Sequence, residues 1–358
     1  MIDKVIRHPR AATILRSTGF TRGLEAFPRA AGLYVLNYHR IGDGSDNVFD
    51  RATFSATADE LRAQMTYLRA HFATPPVSEI LESLSRGRFD VPTALVTFDD
   101  GYLDNYELAF PVLRELGVPG CFFVVSGYVD SPTLPWWDRV AYSVRRTSVE
   151  PLSIDYPEPL TFALRHESRP AVTARILRAF KRARPLDRNR FFDALATATG
   201  VDVDAGELAK QLFAPWAALR EMQAGGMTIG SHTVTHPVLA SLPEDDQRRE
   251  LAESRERIGE MLGEKPSLLA YPVGGPSAFT DVTQRLARET GYSAAFTFFG
   301  GLNFAESCSP FALSRVAVHH SQSFDQFRLK AALTTGALWA RLGIGGDHPP
   351  PTATPASA

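Results

Sequence analysis

Two short segments of the sequence carry histidines and carboxylates whose spacing suits a shared metal ion. In residues 231–236 (SHTVTH), His232 and His236 are four positions apart, so on a helical turn both imidazoles lie on one face. In residues 97–101 (TFDDG), Asp99 and Asp100 follow an apolar run, where burial and mutual repulsion disfavour two carboxylates unless a cation neutralises one of them. One carboxylate and two histidines leave coordination positions open, which is typical of catalytic zinc, although mononuclear iron(II) oxygenases use the same ligand types.

Seven short runs of β-branched and aromatic residues, separated by helical patterns, predict the elements that position these side chains. They span residues 33–37, 94–98, 121–125, 227–229, 268–271, 294–298 and 313–318. Their nearly continuous apolar character favours a parallel sheet covered on both faces, which right-handed crossovers wind into a barrel or a doubly wound sheet. Polar residues follow the carboxyl ends of most runs, and in a parallel barrel those ends share one face. We therefore expect an α/β barrel with the histidines and aspartates on that face.

The sequence also indicates where helices begin and end. Asp104 is expected to cap a helix over residues 106–116 that stops at Gly117, and a long charged helix is expected to begin after Pro243 and to end at Gly263. One aspartate of the adjacent pair could serve as a cap instead, but Asp104 is better placed for that task. The pair at 99 and 100 therefore still needs a partner.

Residues 130–215 separate the third and fourth runs and are far longer than an ordinary crossover. They contain Trp136, Trp137 and a basic helical stretch at 171–184, and we expect an inserted helical subdomain. The insertion could wall the site or pack without touching a substrate, and both readings stay open. The two tryptophans could likewise stack on a sugar or serve packing.

The composition limits the classes of function. The 358 residues can form one large domain or two, and 38 basic against 40 acidic side chains give a net charge of −2, which offers no global field for nucleic acid. Two cysteines make no disulfide framework. No secretory signal or membrane span is visible, so a cytoplasmic location is expected. Residues 1–30 are expected to form a basic N-terminal helical segment that could associate peripherally with a membrane, and residues 345–358 a disordered tail.

Four motifs resemble those of a known family. Residues 97–102 (TFDDGY) and 231–236 (SHTVTH) are similar to the first two motifs of the polysaccharide deacetylases, which form carbohydrate esterase family 4 with the NodB-homology domain. Residues 37–41 (NYHRI) resemble the opening strand of one subgroup, and residues 271–274 (YPVG) resemble the third motif. The resemblance implies a distorted (β/α)7 barrel, which we place over residues 31–335. The expected helical insertion between strands 3 and 4 is not covered by the resemblance.

The resemblance also implies roles for the first two motifs. Asp99 matches the family's general base, and Asp100, His232 and His236 match its metal triad, for which zinc or another divalent transition metal is expected. The family's chemistry is hydrolysis of an acetamide, in which the metal polarises the carbonyl and Asp99 takes a proton from water.

On the substrate side, the backbone N–H of Val273 matches the family's oxyanion donor, in a turn that also places Tyr271 and Pro272 at the site. His39, at the end of the first strand, and Trp136 are further candidates for substrate contact.

Two roles are less well matched by the sequence. The acid that protonates the leaving amine is expected at His319, which fits the family pattern only approximately, and His320 and His39 compete with it. The family's third motif commonly begins with an arginine, but Ala270 stands there. Arg315 could orient Asp99 in its place, or it could form a plain salt bridge.

The sequence therefore predicts a metal-dependent hydrolase that removes N-acetyl groups from the amino sugars of a polysaccharide or glycan precursor. The same site could hydrolyse another C–N bond, such as that of a cyclic amide, or the chain could be a non-catalytic glycan-binding barrel. The intact ligand set argues against the last reading. The oxygenase alternative requires a double-stranded β-helix of antiparallel strands, whereas this chain alternates strand and helix.

Overall fold

The computed structural model describes residues 20–45 and 47–337, and its centre is a curled, mainly parallel β-sheet. The strands are β1 (Leu33–Tyr38), β2 (Arg40–Ile41), β3 (Phe54–Ala56), β4 (Thr93–Phe98), β5 (Gly120–Val124), β6 (Leu152–Ile154), β7 (Leu160–Phe162), β8 (Thr228–Ser231), β9 (Leu268–Ala270), β10 (Ala294–Phe296), β11 (Leu302–Asn303) and β12 (Val316–Ala317). Each of the seven predicted runs coincides with one of these strands to within a few residues.

The central sheet closes on itself through its last strand. Parallel neighbours follow the order β1, β4, β5, β8, β9, β10. β12 pairs in parallel with the second half of β1, and Leu313, just before β12, forms a parallel bridge to Phe296 on β10. β11 runs antiparallel to the first half of β1, so one edge of β1 is divided between two partners. The predicted distorted (β/α)7 barrel is confirmed, with β11 as an addition that the sequence patterns did not predict.

Alternate residues of the central strands face two different cores. One cluster lies inside the ring and includes Leu33, Val35, Leu95, Phe123 and Phe296. Residues at the intervening positions belong to a cluster covered by helices, among them Tyr34, Leu36, Val96, Phe98 and Phe122. Because both faces are buried, the strands read as continuous apolar runs. The same period of two brings Asn37, Thr97 and Asp99 to the inner face at the carboxyl end of the barrel.

Helices surround the barrel and form most of the insertion. They are α1 (Phe20–Glu25), α2 (Ala58–His71), α3 (Val77–Ser85), α4 (Phe110–Leu116), α5 (Ser126–Asp130), α6 (Trp136–Arg146), α7 (Arg169–Arg182), α8 (Arg188–Thr199), α9 (Ala205–Ala209), α10 (Trp216–Ala224), α11 (Glu244–Leu262), α12 (Asp281–Glu289) and α13 (Phe324–Thr335).

One of the two helices does not begin in the way that the sequence predicts. The long helix α11 begins after Pro243 and ends at Gly263, whose left-handed φ of 82° terminates it as expected. The other helix opens with a π-helical segment, Asn105–Ala109, and the Asp104 side chain does not cap it. The Asp104 carboxylate instead accepts hydrogen bonds from Arg40 Nε at 2.8 Å and from the Ile41 N–H at 2.9 Å. Asp104 therefore fixes β2 rather than the helix.

The insertion packs around a core of its own. Helices α6 to α9 and the antiparallel hairpin of β6 and β7 surround a cluster that includes Trp137, Ile154, Phe162, Ile176 and Phe191. The expected helical insertion is present, and the hairpin that pairs residues 152–154 with residues 160–162 is an addition that the sequence patterns did not predict.

The ends of the chain are described only in part. Leu24 of α1 packs against Leu329, Ala332 and Leu333 of α13. Residues 1–19 of the predicted N-terminal helical segment, and the whole predicted tail at 345–358, lie outside the described residues. Among residues 20–45 and 47–337, no helix combines the length and apolar content that crossing a membrane requires.

Gly230 on β8 lies where the barrel has no room for a side chain. A Cβ at this position would lie 2.5 Å from two ring atoms of Phe123, a fully buried residue. We predict that Gly230→Ala lowers the free energy of unfolding by about 1–3 kcal/mol, because the buried ring must shift. Urea unfolding measures the loss, and Gly23→Ala is the control because nothing lies within 4 Å of its added Cβ. Equal stability of the two variants would contradict this account.

Candidate active site

A cleft of about 230 Å³ opens at the carboxyl ends of the parallel strands. Side chains from several strand ends line it together with side chains from the insertion. The barrel contributes His39, Asp99, Asp100, His232, His236, Tyr271, Val273, Phe298, Arg315 and His319, and the insertion contributes Trp136, Trp137, Leu177 and Lys181. Residues that are more than two hundred positions apart in sequence therefore meet in one site. Two candidate site residues named from the sequence are not in the lining: Pro272 is buried in the adjoining turn, and His320, a competing candidate for the acid, has Nδ1 3.2 Å from the carbonyl oxygen of Phe54.

The side chains of Asp100, His232 and His236 converge within this cleft. Oδ1 of Asp100 lies 3.5 Å from Nε2 of His232 and 3.4 Å from Nε2 of His236, and all three side chains are buried. Among the described residues, Oδ1 of Asp100 has no hydrogen-bond partner. A buried polar atom without a partner is costly unless a ligand binds it. The donor types, their spacing within 4.8 Å and this unpaired oxygen all fit one divalent metal ion.

A contact at the second ring nitrogen orients His232, and a hydrogen bond to the backbone holds His236. Nδ1 of His232 lies 2.8 Å from the carbonyl oxygen of Ala270, and a ring that donates from Nδ1 keeps Nε2 free as a metal ligand. The indole Nε1 of Trp136 lies 3.3 Å from both Nδ1 and the carbonyl oxygen of His236. Because an indole N–H can only donate, it binds the carbonyl oxygen when Nδ1 carries the proton. Trp137 packs edge-on against the same imidazole, with ring centroids 4.6 Å apart.

The segment that carries the two histidines is an irregular turn held by a neighbouring helix. Residues 232–236 are not helical, so the expected helical turn is wrong. Glu250 on α11 accepts hydrogen bonds from the N–H groups of Val234 and Thr235 at 2.8 and 2.9 Å, and from the Thr235 hydroxyl at 2.6 Å. The turn, rather than a helical repeat, brings both imidazoles to Asp100.

Left-handed backbone conformations concentrate at this site. Within the described part of the chain, the non-glycine residues with positive φ are Asp100 (72°), Thr233 (70°), His236 (53°) and Val273 (65°). Such backbone conformations are uncommon for residues other than glycine, asparagine and aspartate. They persist only where the surrounding structure enforces them. Three of the four residues line the cleft and the fourth lies between the histidines, so the backbone strain coincides with the candidate ligands.

Asp99 has a set of partners separate from that of Asp100. Arg315 binds both of its oxygens, with NH1 to Oδ1 at 2.7 Å and NH2 to Oδ2 at 2.8 Å. Asn37 also donates to Oδ2 at 2.9 Å. Nε of Arg315 donates to the carbonyl oxygen of Thr297 at 2.7 Å, which fixes the plane of the guanidinium. The structure thus brings Arg315 to Asp99, as one of the two sequence-based readings expected.

The two adjacent aspartates differ in their electrostatics. Burial disfavours both anions, but at Asp99 the Arg315 guanidinium outweighs burial and holds the pKa of the carboxyl well below its ordinary value. At Asp100, burial and then the charge of Asp99 raise the pKa well above its ordinary value. Burial and then the neighbouring His232 lower the pKa of His236 well below its ordinary value. Asp99 is therefore an anion at neutral pH, and Asp100 is the carboxyl whose ionised form a cation would favour.

The substrate-side residues lie around the same cleft. The exposed side chain of His319 lines it, and His39 lies opposite Asp99, with Nε2 4.0 Å from Oδ2. The Tyr271 hydroxyl is turned away and donates to the carbonyl oxygen of Phe311 at 3.0 Å. The N–H of Val273 donates to no other group among the described residues. The expected turn therefore presents a backbone donor, and Tyr271 supports it from behind.

Trp136 cannot be a stacking platform for a sugar. Only 2% of the residue is exposed, and its ring stacks on Phe180 with centroids 4.5 Å apart. The expectation that Trp136 stacks on substrate is wrong, because its ring is packed inside the insertion and its N–H faces His236. Of the two readings left open for the tryptophans, the packing one is confirmed.

Several residues at or near the site are not predicted by the sequence patterns. Asn37 was visible only as part of a motif, and the period of two along β1 is the signal that places it on the inner face with Asp99. Glu250 and Lys181 carried no signal, because each lies on a charged helix whose contact with the site depends on how that helix packs. Asp138, a buried neighbour of the Trp pair, accepts a hydrogen bond from the N–H of Asp50 at 3.0 Å.

Comparisons with known proteins agree with this geometry. The family model described as polysaccharide deacetylase matches residues 86–295, more than half of the chain. The chain is 22% identical over 302 residues to YxkH of Bacillus subtilis (strain 168), a protein named as a polysaccharide deacetylase, and this alignment covers 84% of the chain and 76% of YxkH.

A poly-β-1,6-N-acetyl-D-glucosamine N-deacetylase of Staphylococcus epidermidis is 28% identical over 110 residues, which cover 27% of this chain and 37% of that protein. The chain thus aligns with well under two thirds of the length of this relative. Among solved structures, IcaB from Ammonifex degensii superposes with a TM-score of 0.52 at 23% identity, and 87% of this chain and 98% of that chain are covered. At this identity the superposition shows a shared fold.

Removal of the Arg315 charge should destabilise the protein in a pH-dependent way. We predict that Arg315→Met costs about 3–5 kcal/mol of unfolding free energy at pH 7, because the buried Asp99 loses its counter-ion. An aspartate whose pKa is lower in the folded than in the unfolded protein stabilises the fold at pH values above its unfolded pKa. This stabilisation is lost as the pH falls through its folded pKa. The difference between wild type and variant should therefore shrink as the pH falls from about 5 toward the depressed folded pKa of Asp99.

Urea unfolding across this pH range measures the effect. Arg257→Met is the control, because its partner Asp130 is at the surface and the loss should be small. A loss for Arg315→Met that is the same at every pH would indicate packing alone.

The indole N–H of Trp136 should matter for metal affinity. We predict that Trp136→Phe weakens zinc binding by up to about tenfold, because one neutral hydrogen bond, worth about 1 kcal/mol, no longer holds the His236 carbonyl oxygen and the backbone that carries the imidazole. Competition with a chelating indicator measures the affinity. Trp216→Phe is the matched control, because its N–H binds Asp130 at 2.8 Å away from the cleft. Equal affinities for the two variants would rule out this role.

Proposed function

The chain belongs to the polysaccharide deacetylase family and is accordingly a hydrolase of carbon–nitrogen bonds other than peptide bonds, and on that premise we propose the reaction of this site in detail. We propose that it is a metal-dependent deacetylase that removes N-acetyl groups from the amino sugars of a polysaccharide or glycan precursor. Its substrate side is an N-acetylated glycan, and its ion is zinc or another divalent transition metal.

The single observation that carries the proposal is the separation of two adjacent carboxylates into two partner sets. Asp99 pairs with Arg315 and Asn37, whereas Asp100 faces His232 and His236. One carboxylate is therefore available as a base while the other is available as a ligand, although their backbones are consecutive. A hydrolase that uses a metal and a general base needs this combination within a few ångströms.

Asp100, His232 and His236 are the residues that would hold the metal. When bound, the ion supplies Lewis acidity toward the amide carbonyl and toward water. The remaining chemistry falls to groups of the chain itself.

Asp99 is assigned as the general base. Its carboxylate accepts the proton of the attacking water, and Arg315 keeps it in the ionised form that this requires. A low pKa makes a weak base in solution, but the bidentate guanidinium also fixes the direction of the carboxylate, so orientation compensates for reduced basicity.

The N–H of Val273 is assigned as a donor to the developing oxyanion. The left-handed φ of 65° at Val273 turns the chain sharply, and the carbonyl oxygen of Gly274 accepts from the Phe298 N–H at 2.8 Å. A Cβ on Gly274 would lie 2.7 Å from that nitrogen, so only glycine fits there. A turn fixed on both sides presents its amide without reorganisation during the reaction, which is the requirement for oxyanion stabilisation.

His319 is assigned as the acid that protonates the leaving amine. The competing His39 has a pKa that burial lowers to about 4, so at neutral pH it holds little of the extra proton that an acid must give. His319 instead lies exposed at the cleft, where the leaving sugar amine would depart. His39 then remains a neutral neighbour of Asp99 and a contact for the substrate.

The base and the metal ligand are distinguished by two isosteric variants. We predict that Asp99→Asn lowers acetate release from N-acetylglucosamine oligomers by about 10²–10⁴-fold while one metal ion per chain is retained. Asp100→Asn should lose the metal as well as the activity. Metal content by elemental analysis and acetate by an enzyme-coupled assay are measured on the same samples, with folding checked by circular dichroism.

Full activity in Asp99→Asn would contradict its role as the base. Glycan binding without acetate release under any divalent metal would indicate a non-catalytic barrel instead.

A further inference from the structure

A second and larger cavity, of about 960 Å³, adjoins the active-site cleft. Both are lined by the same stretch of the molecule, since Asp50, Leu177, Lys181 and Val273 face both. Its walls are the insertion helices α6 and α7 on one side and the loops around residues 49–52 and 273–278 on the other. A chain of sugars that places one residue in the active site can therefore continue into this second space.

Cations dominate this second cavity, here called the basic cleft. Its lining contains Arg51, Arg145, Arg169, Arg178, Lys181 and Arg182 together with His320, against a single carboxylate, Asp50. Within residues 20–45 and 47–337, none of these six cations forms an ion pair with a carboxylate. In the described part of the chain, Arg145 and Arg169 bind the backbone carbonyl oxygens of Asn47, Val144 and Thr147.

Several arginines outside the basic cleft pair with carboxylates. On α11 and α12, Arg248, Arg257 and Arg285 are each paired with carboxylates of their own or a neighbouring helix. On α7 itself, Arg175 faces away from the basic cleft and pairs with Glu167 at 2.6 Å. The basic cleft thus gathers six cations and one carboxylate on one concave surface of a chain whose net charge is only −2.

A concave surface of one charge sign focuses the electrostatic field and attracts ligands of the opposite sign. Arginine side chains present planar forks that match the oxygens of phosphate groups, and several are needed to neutralise a group of two or more charges. A single carboxylate carries one charge and would leave most of the six cations uncompensated. The charge and the size of the cleft together favour a phosphate-bearing ligand over a neutral or singly charged sugar.

We propose that the basic cleft binds a phosphate or pyrophosphate ester carried by the glycan substrate, a few sugar units or less from the N-acetyl group in the active site. This inference rests on the proposed deacetylase function, and it narrows the substrate to a phosphate-linked glycan precursor. The phosphate group could belong to a soluble sugar phosphate or could link the glycan to a lipid, because both present the same phosphate oxygens to the cleft.

Paired substrates test the proposal. Acetate release is measured with zinc-loaded protein on mono-, di- and trisaccharides of N-acetylglucosamine, each with a free reducing end, with a 1-phosphate, or with a carboxylate at the same position. We expect the phosphate to lower KM about tenfold at one of these lengths, and to do so less at high salt because exposed cations are screened. An equal gain from the carboxylate, or no gain at any length, would overturn the assignment of phosphate.

Charge removal on α7 locates the effect. The double variant Arg178→Gln with Arg182→Gln removes two exposed cations, one helical turn apart, that lie outside the catalytic groups. It should raise KM for the phosphorylated sugar about tenfold and leave kcat and KM for the neutral sugar unchanged. Arg175→Gln, on the same helix but outside the basic cleft, should affect neither substrate. Equal effects of the double variant on both substrates would overturn the proposal.

Direct binding separates this inference from the proposed reaction. Calorimetry compares N-acetylglucosamine 1-phosphate with N-acetylglucosamine, so any metal contact of the sugar is common to both. Tighter binding of the phosphate that the double variant abolishes supports the basic cleft even if no acetate is released, whereas equal binding overturns it. The same sugar phosphate is then presented as a lipid ester in mixed micelles. A KM lower than that of the soluble sugar phosphate would indicate a lipid-linked substrate, and an unchanged KM would indicate a soluble one.

Discussion

The ion pair between Arg315 and Asp99 is the interaction on which the site and much of the barrel depend. Both groups are buried, so each would be costly without the other, and the two parallel hydrogen bonds satisfy the carboxylate completely only with the help of Asn37. Arg315 lies in the segment that closes the barrel between β10 and β1, and it also binds the Thr297 carbonyl. Closure of the ring therefore delivers the counter-ion of Asp99.

That pairing leaves Asp100 as the unsatisfied member of the two carboxylates. The left-handed backbone at Asp100 turns its side chain toward the histidine turn, where an unpaired oxygen and two imidazoles lie close together. The neighbouring negative charge and burial both oppose ionisation of Asp100. The strain at Asp100, His236 and Val273 is held by contacts elsewhere, such as those of Glu250 with the histidine turn. The scaffold therefore holds a strained backbone, at a cost in stability, where the side chains suit a cation.

The insertion contributes to the site from outside the barrel. Trp136 and Trp137 pack behind His236, so the helix that carries them supports this histidine rather than presenting an aromatic surface to the cleft. The next helix of the insertion, α7, lines both the active-site cleft and the basic cleft with Lys181. The insertion therefore shapes the space beyond the reacting group, where further parts of a glycan would be recognised.

The sequence alone determined the seven strands, their parallel arrangement and the likeness of Asp99, Asp100, His232 and His236 to a base and a metal triad, because these features depend on local patterns and short motifs. Only the tertiary structure decided the partners. Arg315 lies 216 positions from Asp99, and its pairing with that carboxylate depends on barrel closure. Asp104 was expected as a cap but binds β2, and Trp136 was expected at the sugar but packs inward, since a side chain's role depends on which surface covers it. The basic cleft likewise exists only where α6, α7 and two barrel loops meet, which no spacing along the chain encodes.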